Sequence, residues 1–180
     1  MSRRLLFFFL VFATTCSAQI PEGIPRQLAR ERAANVIDVH YQLSFQLTPK
    51  ANDVPGKVEI SFTLKNLKDT LLDYRDGYVR SLNVNGTALN VQNENGHVLL
   101  PAAALQAGPN TVTIEFTSHA APAGKPIIRY EDKDAGSEYI YTLFVPMDAS
   151  MAFPCFDQPD IKGQFELRIH APRDWTVISN

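Results

Sequence analysis

The sequence predicts an all-β protein whose curved antiparallel or mixed sheets form a sandwich-like or saddle-like domain. Apolar and polar residues alternate with a period of two over residues 37–47 and again over residues 58–64, which is the pattern of strands with one buried face. Asn-Gly pairs at positions 85–86 and 95–96 supply the positive φ angles that tight hairpin turns require. About eight short strands separated by turn signals are typical of a β-sandwich or an open curved sheet.

The predicted strands follow one another with few helical signals between them. Pro25 precedes a short helical pattern, and residues 102–105 indicate one helical turn. Residues 49–56 break the alternation between the first two strands. Further strands are predicted at residues 82–84, 88–91, 97–100, 111–117, 139–145, 165–169 and 175–178. The run at 139–145 is apolar nearly throughout, which indicates a strand covered on both faces.

The amino-terminal residues have the composition of an export signal. An arginine pair precedes the apolar run LLFFFLVFA, and small residues follow up to Ala18. The run is too short to span a bilayer. A buried element, a twin-arginine signal and lipid attachment at Cys16 are weaker alternatives. We therefore expect a signal peptide at 1–18, a leader segment at 19–35 and a β-domain at 36–180, exported to a periplasm or out of the cell and free of the membrane after cleavage.

Composition, charge and the absence of known motifs argue against several classes of function. The formal net charge is -2 and the basic residues are scattered, which argues against nucleic acid as a partner. None of the four histidines has a zinc-ligand spacing, and neither a nucleophile elbow nor a phosphate-binding glycine loop occurs. Cleavage after residue 18 leaves Cys155 as the single cysteine, so the mature chain has no intrachain disulfide. The sequence thus predicts neither a catalytic residue nor a metal site in this chain.

The stretch AFPCFDQPDIKGQF, residues 152–165, combines prolines, aromatic residues and acids. A nucleophilic Cys155 would need electropositive, partly exposed surroundings, whereas its neighbours are apolar or acidic. Asp157 and Asp160 are a candidate general acid and base pair, but aspartates beside prolines more commonly cap turns. Because the two prolines restrict φ and the phenylalanines favour burial, we interpret the stretch as a structural corner.

The same stretch carries a resemblance to a known family. The residues concerned, in order, are Tyr139 to Thr142, Pro146, Asp148, Ala149, Phe153, Pro154, Cys155, Phe156, Asp157, Gln158, Pro159, Lys162, Phe165 and Ile178 to Asn180. Their order and spacing resemble the N-terminal domain of the aminopeptidase N family of zinc metallopeptidases, which shows Y-T-Q-F-E-P, then F-P-C-F-D-E-P, and a closing S-N. Weaker similarity reaches back to residues 39–43.

The resemblance implies a β-domain that packs against a separate thermolysin-like catalytic domain. In that family the catalytic domain binds zinc through H-E-x-x-H and a downstream glutamate, and it removes amino-terminal residues from peptides. Neither that motif nor the family's G-x-M-E-N loop occurs in this chain. We therefore expect no cofactor here and zinc in a catalytic domain beyond this chain. The expected partners are that domain and the amino-terminal ends of peptides.

Four positions depart from the family's pattern. The glutamine that lines the family's pocket for the first side chain aligns with Leu143, and the nearby glutamate aligns with Val145. Leucine lacks the donor and acceptor of an amide, so the resemblance implies substrate contacts by these two residues with a more apolar pocket wall. Ser150 stands where the family has an arginine, and Gln158 replaces a glutamate.

Two functional hypotheses follow. The first is the N-terminal domain of an exported zinc aminopeptidase, which docks on the catalytic domain and helps to wall the substrate cleft but hydrolyses nothing by itself. The alternative is a stand-alone exported binding module that uses its loops for a partner. Because the predicted strand at 175–178 ends without a polar tail, we expect the β-domain to be incomplete at its carboxyl end.

Overall fold

The computed structural model describes residues 20–179, so the predicted signal peptide lies outside the described residues. Helix α1 (Arg26–Asn35) precedes eleven strands in this part of the chain. The strands are β1 (Val36–Gln46), β2 (Asp53–Leu64), β3 (Thr70–Asp73), β4 (Tyr78–Val84), β5 (Thr87–Leu89), β6 (Asn93–Glu94), β7 (His97–Leu100), β8 (Gly108–Ala121), β9 (Ile127–Asp132), β10 (Ser137–Thr142) and β11 (Gly163–His170). The all-β prediction is confirmed. Within residues 20–179, no helix has the length and apolarity needed to cross a membrane.

The strands form a large mixed sheet and a small antiparallel one. The large sheet has the order β10-β9-β8-β2-β1-β11, with β4 also paired to β8 and β5 to β4. The small sheet has the order β3-β7-β6. The pairs β1–β11 and β8–β9 are parallel, and the other pairs are antiparallel. Strands β10 and β11 therefore lie at opposite ends of the large sheet.

The small sheet packs against the large one around a single core. Leu72 and Leu100 of the small sheet belong to the same buried cluster as Ile60 and Ile114 of the large sheet. Tyr74, which follows β3, donates a 2.7 Å hydrogen bond to the backbone carbonyl of Thr117 in β8. This buried bond joins the two layers directly.

The first strand contains a bulge that changes which residues are buried. Asp38 has a φ of 54°, and the register with β2 shifts between Ile37 and His40. As a result Val36 is buried and Ile37 is only partly so, whereas the alternation predicted from Val39 onward is as expected. The period-two pattern was thus right for most of β1 and wrong at Ile37.

Both predicted Asn-Gly hairpins are confirmed. Asn85 and Gly86 have φ angles of 50° and 85° and connect β4 to β5. Asn95 and Gly96 have φ angles of 52° and 80° and connect β6 to β7. Positive φ at both central residues is what a type I′ turn requires.

Other strand predictions need correction. The break predicted at 49–56 is shorter, because β2 already begins at Asp53. The segment 139–145 was predicted to be covered on both faces, but β10 is an edge strand and Tyr139 and Tyr141 are exposed. The strand predicted at 175–178 does not form in the described part of the chain, where Ile178 is exposed. Hydrophobicity there does not reflect burial within this domain.

Gly56 lies where β2 passes the ring of Phe116 on β8. A Cβ at this position would lie 2.4 Å from Cζ of the fully buried Phe116. We expect Gly56→Ala to lower the free energy of unfolding by about 1–3 kcal/mol, because the ring cannot move without disturbing the core. Urea unfolding monitored by fluorescence measures this change.

The matched control repeats Gly56→Ala in a Phe116→Leu background. The smaller side chain leaves room for the new methyl group, so the added cost of Gly56→Ala should fall in that background. An equal cost in both backgrounds would contradict a steric origin.

Candidate functional site

A buried ion pair lies against the corner stretch. Arg32 Nη1 on α1 donates to both carboxylate oxygens of Asp73, at 2.8 and 2.9 Å, and both side chains are almost completely buried. Asp73 Oδ2 also accepts a 2.9 Å hydrogen bond from the backbone N–H of Asp157. The backbones of Asp73 and Cys155 exchange hydrogen bonds of 2.7 and 3.1 Å. The corner is thus attached to β3 through the backbone and side chain of one residue.

His97 is a further buried partner of this carboxylate. Its Nδ1 lies 2.9 Å from Asp73 Oδ1, and its Nε2 donates to the backbone carbonyl of Gly23 at 2.6 Å. Burial by itself would raise the pKa of Asp73. The contacts with His97 and with the Arg32 guanidinium outweigh burial and hold that pKa below its ordinary value. Asp73 is therefore a carboxylate at neutral pH.

Gln158 joins the corner to α1. Its Oε1 accepts a 3.1 Å hydrogen bond from Arg32 Nε. Its Nε2 donates to the Ala29 carbonyl at 2.8 Å and to Asp160 Oδ1 at 2.7 Å. Only an amide both accepts and donates in this way, since a glutamate carboxylate has no N–H. The glutamine at this position matches the hydrogen bonds that surround it.

The acidic residues of the corner are used as structural groups. Asp157 Oδ2 accepts a 3.0 Å hydrogen bond from the backbone N–H of Ser150, whereas Asp160 accepts from Gln158. Burial, together with the nearby carboxylates of Asp157 and Asp73, raises the pKa of the Cys155 thiol. These contacts indicate that the two aspartates cap turns and that the thiol stays protonated. They do not favour a general acid and base pair or a nucleophilic cysteine.

The predicted motif residues divide by burial. Phe153, Pro154, Cys155, Phe156 and Gln158 are buried, Asp157 is partly buried, and Pro159 and Lys162 are exposed. Phe153 is the hub of an aromatic cluster, with ring centroids 5.9 to 6.4 Å from those of Tyr41, Phe45, Phe144 and Phe165. The cluster connects the corner to β1, to β11 and to the segment after β10.

Large apolar side chains remain exposed on two segments beside this cluster. They are Leu143, Val145 and Met147 after β10 and Phe165 and Leu167 on β11, and we call these five the exposed apolar residues. Phe165 and Leu167 are paired in register with the buried Tyr41 and Leu43 of β1, so they extend the core side of the sheet. They remain 56% and 42% exposed, because no described residue covers them fully.

The predicted substrate contacts belong to this set. Leu143 is 55% exposed and Val145 is 74% exposed, and Phe144 between them turns inward onto Phe153. The Phe153 ring also contacts Phe165, so the aromatic cluster links the segment after β10 to β11. The exposure of Leu143 and Val145 leaves them available for contact with a partner or a ligand.

Arg75 holds the segment that carries these residues. Its Nη2 donates to Asp148 Oδ1 at 2.8 Å and to the Met147 carbonyl, and its Nε donates to Ser150 Oγ at 2.9 Å. Ser150 is buried and its carbonyl also accepts from the Arg75 backbone N–H at 2.9 Å. Ser150, which stands where the family has an arginine, is thus bonded to an arginine from another segment.

Sequence reasoning did not identify Arg32, Asp73, Arg75 or His97. These residues lie in three different segments, with Asp73 and Arg75 close together in one of them, and they share no motif spacing, so only their meeting in space reveals them. A weak signal was present at Asp73, a single acid that directly follows the apolar pair of a short strand. An acid at the end of a buried strand is a reason to search for a partner.

Metal ligands are not assembled in residues 20–179. No group of three histidine, cysteine, aspartate or glutamate side chains in this range could hold a metal ion. His97 is occupied by Asp73 and Gly23, and His119 Nδ1 lies 3.1 Å from Asp53. The side chains present in this range do not fit a zinc site.

The sequence matches one family over most of its length. The family described as the Peptidase M1 N-terminal domain matches residues 37–180. Aminopeptidase N of Streptomyces lividans is 27% identical over 163 residues, which are 88% of this chain and 19% of that protein. The mitochondrial aminopeptidase 2 of Saccharomyces cerevisiae is 28% identical over 159 residues, 81% of this chain and 17% of that protein. The chain therefore spans about a fifth of the length of these relatives.

Solved structures share the fold. Native yeast LTA4 hydrolase superimposes with a TM-score of 0.65 and 19% identity, over 77% of this chain and 23% of that one. The M1 zinc metallopeptidase of Deinococcus radiodurans superimposes with a TM-score of 0.59 and 19% identity, over 75% of this chain and 32% of that one. At this level of identity the likeness concerns the fold.

The lowered pKa of Asp73 makes a prediction about acid stability. A carboxyl whose pKa is lower in the folded state contributes stability above its unfolded value of about 3.9 and loses it as the pH falls. We expect Asp73→Asn to lower the free energy of unfolding at pH 7 by about 3 kcal/mol, because Arg32 is left buried without its counter-ion. The acid-induced loss of stability below about pH 4 should also be smaller in the variant. Urea unfolding across this pH range measures both effects.

Asp134→Asn is the matched control, since Asp134 is exposed in the turn between β9 and β10. It should change stability by less than about 0.5 kcal/mol at pH 7. Equal stability and equal acid dependence for Asp73→Asn and the unmodified chain would contradict the assigned role of the ion pair.

Proposed function

The chain belongs to the Peptidase M1 N-terminal domain family, and from this we propose that it works as the amino-terminal domain of a zinc aminopeptidase. In this role it docks on a catalytic domain and helps to wall the cleft that receives the amino-terminal end of a peptide. The observation that carries the proposal is the group of exposed apolar residues, five large apolar side chains on the segment after β10 and on β11. Large apolar side chains that form a contiguous exposed patch mark a site of contact with another protein or a ligand.

Docking is supported by the position of the two exposed apolar residues on β11. Phe165 and Leu167 continue the core side of the large sheet, where Tyr41 and Leu43 are buried. A partner domain that covers them would extend the same core beyond β11 and remove the exposed rings from water. The region of the catalytic domain that docks here should therefore be apolar.

The cleft role belongs to Leu143 and Val145. They follow β10 directly, and Arg75 holds the segment after them through Met147 and Asp148. Both side chains are apolar and have no hydrogen-bonding group, so they favour an apolar first residue over a charged or amide-bearing one. In this proposal the zinc and the hydrolytic step are supplied by the catalytic domain.

A chimera tests this function. Residues 20–180 replace the matching region of Streptomyces lividans aminopeptidase N, and hydrolysis of leucine and glutamate anilides is measured. We expect an active chimera that prefers leucine, and we expect Leu143→Gln to lower the preference for leucine over glutamate by about tenfold, within the range that one pocket contact contributes.

Leu67→Gln is the matched control, because Leu67 is exposed to a similar degree but belongs neither to the segment after β10 nor to β11. It should leave both the activity and the preference unchanged. An inactive chimera with native-like circular dichroism would contradict the proposed function and favour the stand-alone binding module. An active chimera whose preference ignores Leu143→Gln would contradict the cleft contact alone.

We also propose that the chain is exported through cleavage after Ala18. The support is the arginine pair, the apolar run and the small residues that precede Gln19. Expression of the full chain in a bacterial host should yield, in the periplasm or medium, a product with the intact mass of residues 19–180. Phe8→Arg interrupts the apolar run and should retain the uncleaved chain in the cell, whereas an exported product in that variant would contradict the signal.

A further inference from the structure

The outer edge of β10 has unpaired backbone groups. No strand pairs with this edge among residues 20–179. Leu143 donates its backbone N–H to the Pro126 carbonyl at 2.9 Å, in continuation of the β9–β10 register. Bonded and non-bonded pairs alternate in an antiparallel ladder, so Tyr139 and Tyr141 also bond toward β9. The backbone groups of Ile140 and Thr142 therefore point outward, away from β9.

The inner side of the β9–β10 hairpin is firmly held. Ile140 packs against the core, and Glu138 forms an ion pair with Arg129 of β9. Arg129 also donates to the Ala51 carbonyl, and Glu138 accepts from the Lys50 backbone N–H at 3.2 Å. The hairpin is thus anchored to the turn between β1 and β2, and its outer edge is presented on a rigid support.

The exposed side chains of this hairpin are aromatic. Tyr139 and Tyr141 lie on one face of β10 and are about half exposed, as is Tyr130 opposite Tyr139 on β9. The ring centroids of Tyr130 and Tyr139 are 6.3 Å apart. Leu143 continues the same alternation after the end of β10. A row of large side chains therefore runs beside the free edge.

We propose that the outer edge of β10 binds an extended peptide, which adds to the large sheet as a further strand. The unpaired groups at alternate residues match the hydrogen-bonding period of an extended backbone. Tyr139 and Tyr141 would contact alternate side chains of that peptide, which suits apolar residues at those positions. This chemistry favours a peptide over ligands that lack a regular backbone.

The position of the edge agrees with this occupant. β10 leads directly into Leu143 and Val145, so a peptide on the edge lies in line with the proposed cleft. The inference concerns peptide binding by this chain and does not require hydrolysis. It can fail while the chimera is active, and it can hold while the chimera is inactive.

Hydrogen exchange on the full chain tests the proposal. The probe is a short synthetic peptide of alternating threonine and valine with a lysine at each end, and the control probe has proline in place of every valine. We expect the first probe to slow exchange of the backbone amides of Ile140 and Thr142. The proline probe cannot complete the ladder and should have no effect.

Thr142→Pro separates edge pairing from side-chain contact. Proline removes the outward N–H at position 142 but leaves the bonds between β10 and β9, because an edge strand tolerates proline where its N–H faces solvent. We expect Thr142→Pro to weaken probe binding by at least about fivefold, the factor that one net hydrogen bond represents. Thr142→Val keeps the N–H and should bind as the unmodified chain does. Tyr141→Ala, which does not alter the backbone, should also weaken binding.

Each possible result either supports or overturns peptide binding at the edge of β10. Protection confined to β10, lost in Thr142→Pro and kept in Thr142→Val, supports the proposal. Absence of protection at saturating probe, or equal binding by Thr142→Pro with native-like circular dichroism, overturns it. Protection of the same amides that rises with protein concentration in the absence of probe would identify a second copy of the chain as the occupant and would also overturn it.

Discussion

The buried carboxylate of Asp73 is the interaction on which the rest of the structure depends. A charge removed from water is costly unless it is paired and hydrogen-bonded, and Asp73 obtains its partners from three separate parts of the chain. Arg32 comes from α1, His97 from β7, and the N–H of Asp157 from the corner. These segments must meet for the charge to be stable in the interior. The ion pair therefore favours this particular arrangement of the leader segment, the small sheet and the corner.

Three consecutive residues, from Asp73 to Arg75, connect the buried ion pair to other parts of the domain and to its surface. Asp73 holds the corner, Tyr74 bonds to β8 through Thr117, and Arg75 holds the segment after β10 through Asp148. The corner in turn positions Phe153, whose ring contacts join β1, β11 and Phe144. The exposed apolar residues are supported in both of these ways. Polar contacts hold the segment after β10, and aromatic packing holds that segment and β11.

Much of the local structure could be predicted from the sequence, but its surroundings could not. The two Asn-Gly hairpins and most of β1 were correct, since turn chemistry and period-two alternation act over a few residues. The corner could be interpreted as structural from its prolines and aromatic residues, whereas the ion pair between Asp73 and Arg32 that lies against it could not be predicted. The apolar run at 139–145 was predicted to be a strand covered on both faces, because apolar residues indicate burial. They do not indicate whether the partner that buries them lies in the same domain.

The sequence by itself determined the β-class, the hairpin turns and the family motif, because each depends on neighbouring residues and on their order. The tertiary structure alone decided that β10 and β11 are edge strands, that Asp73 meets Arg32 and His97, and that Phe153 links the segment after β10 to Phe165 on β11. The physical reason is that strand order and register join residues far apart in the chain. The energy of each such contact depends on the partner that the fold brings to it, and local sequence carries no record of that partner.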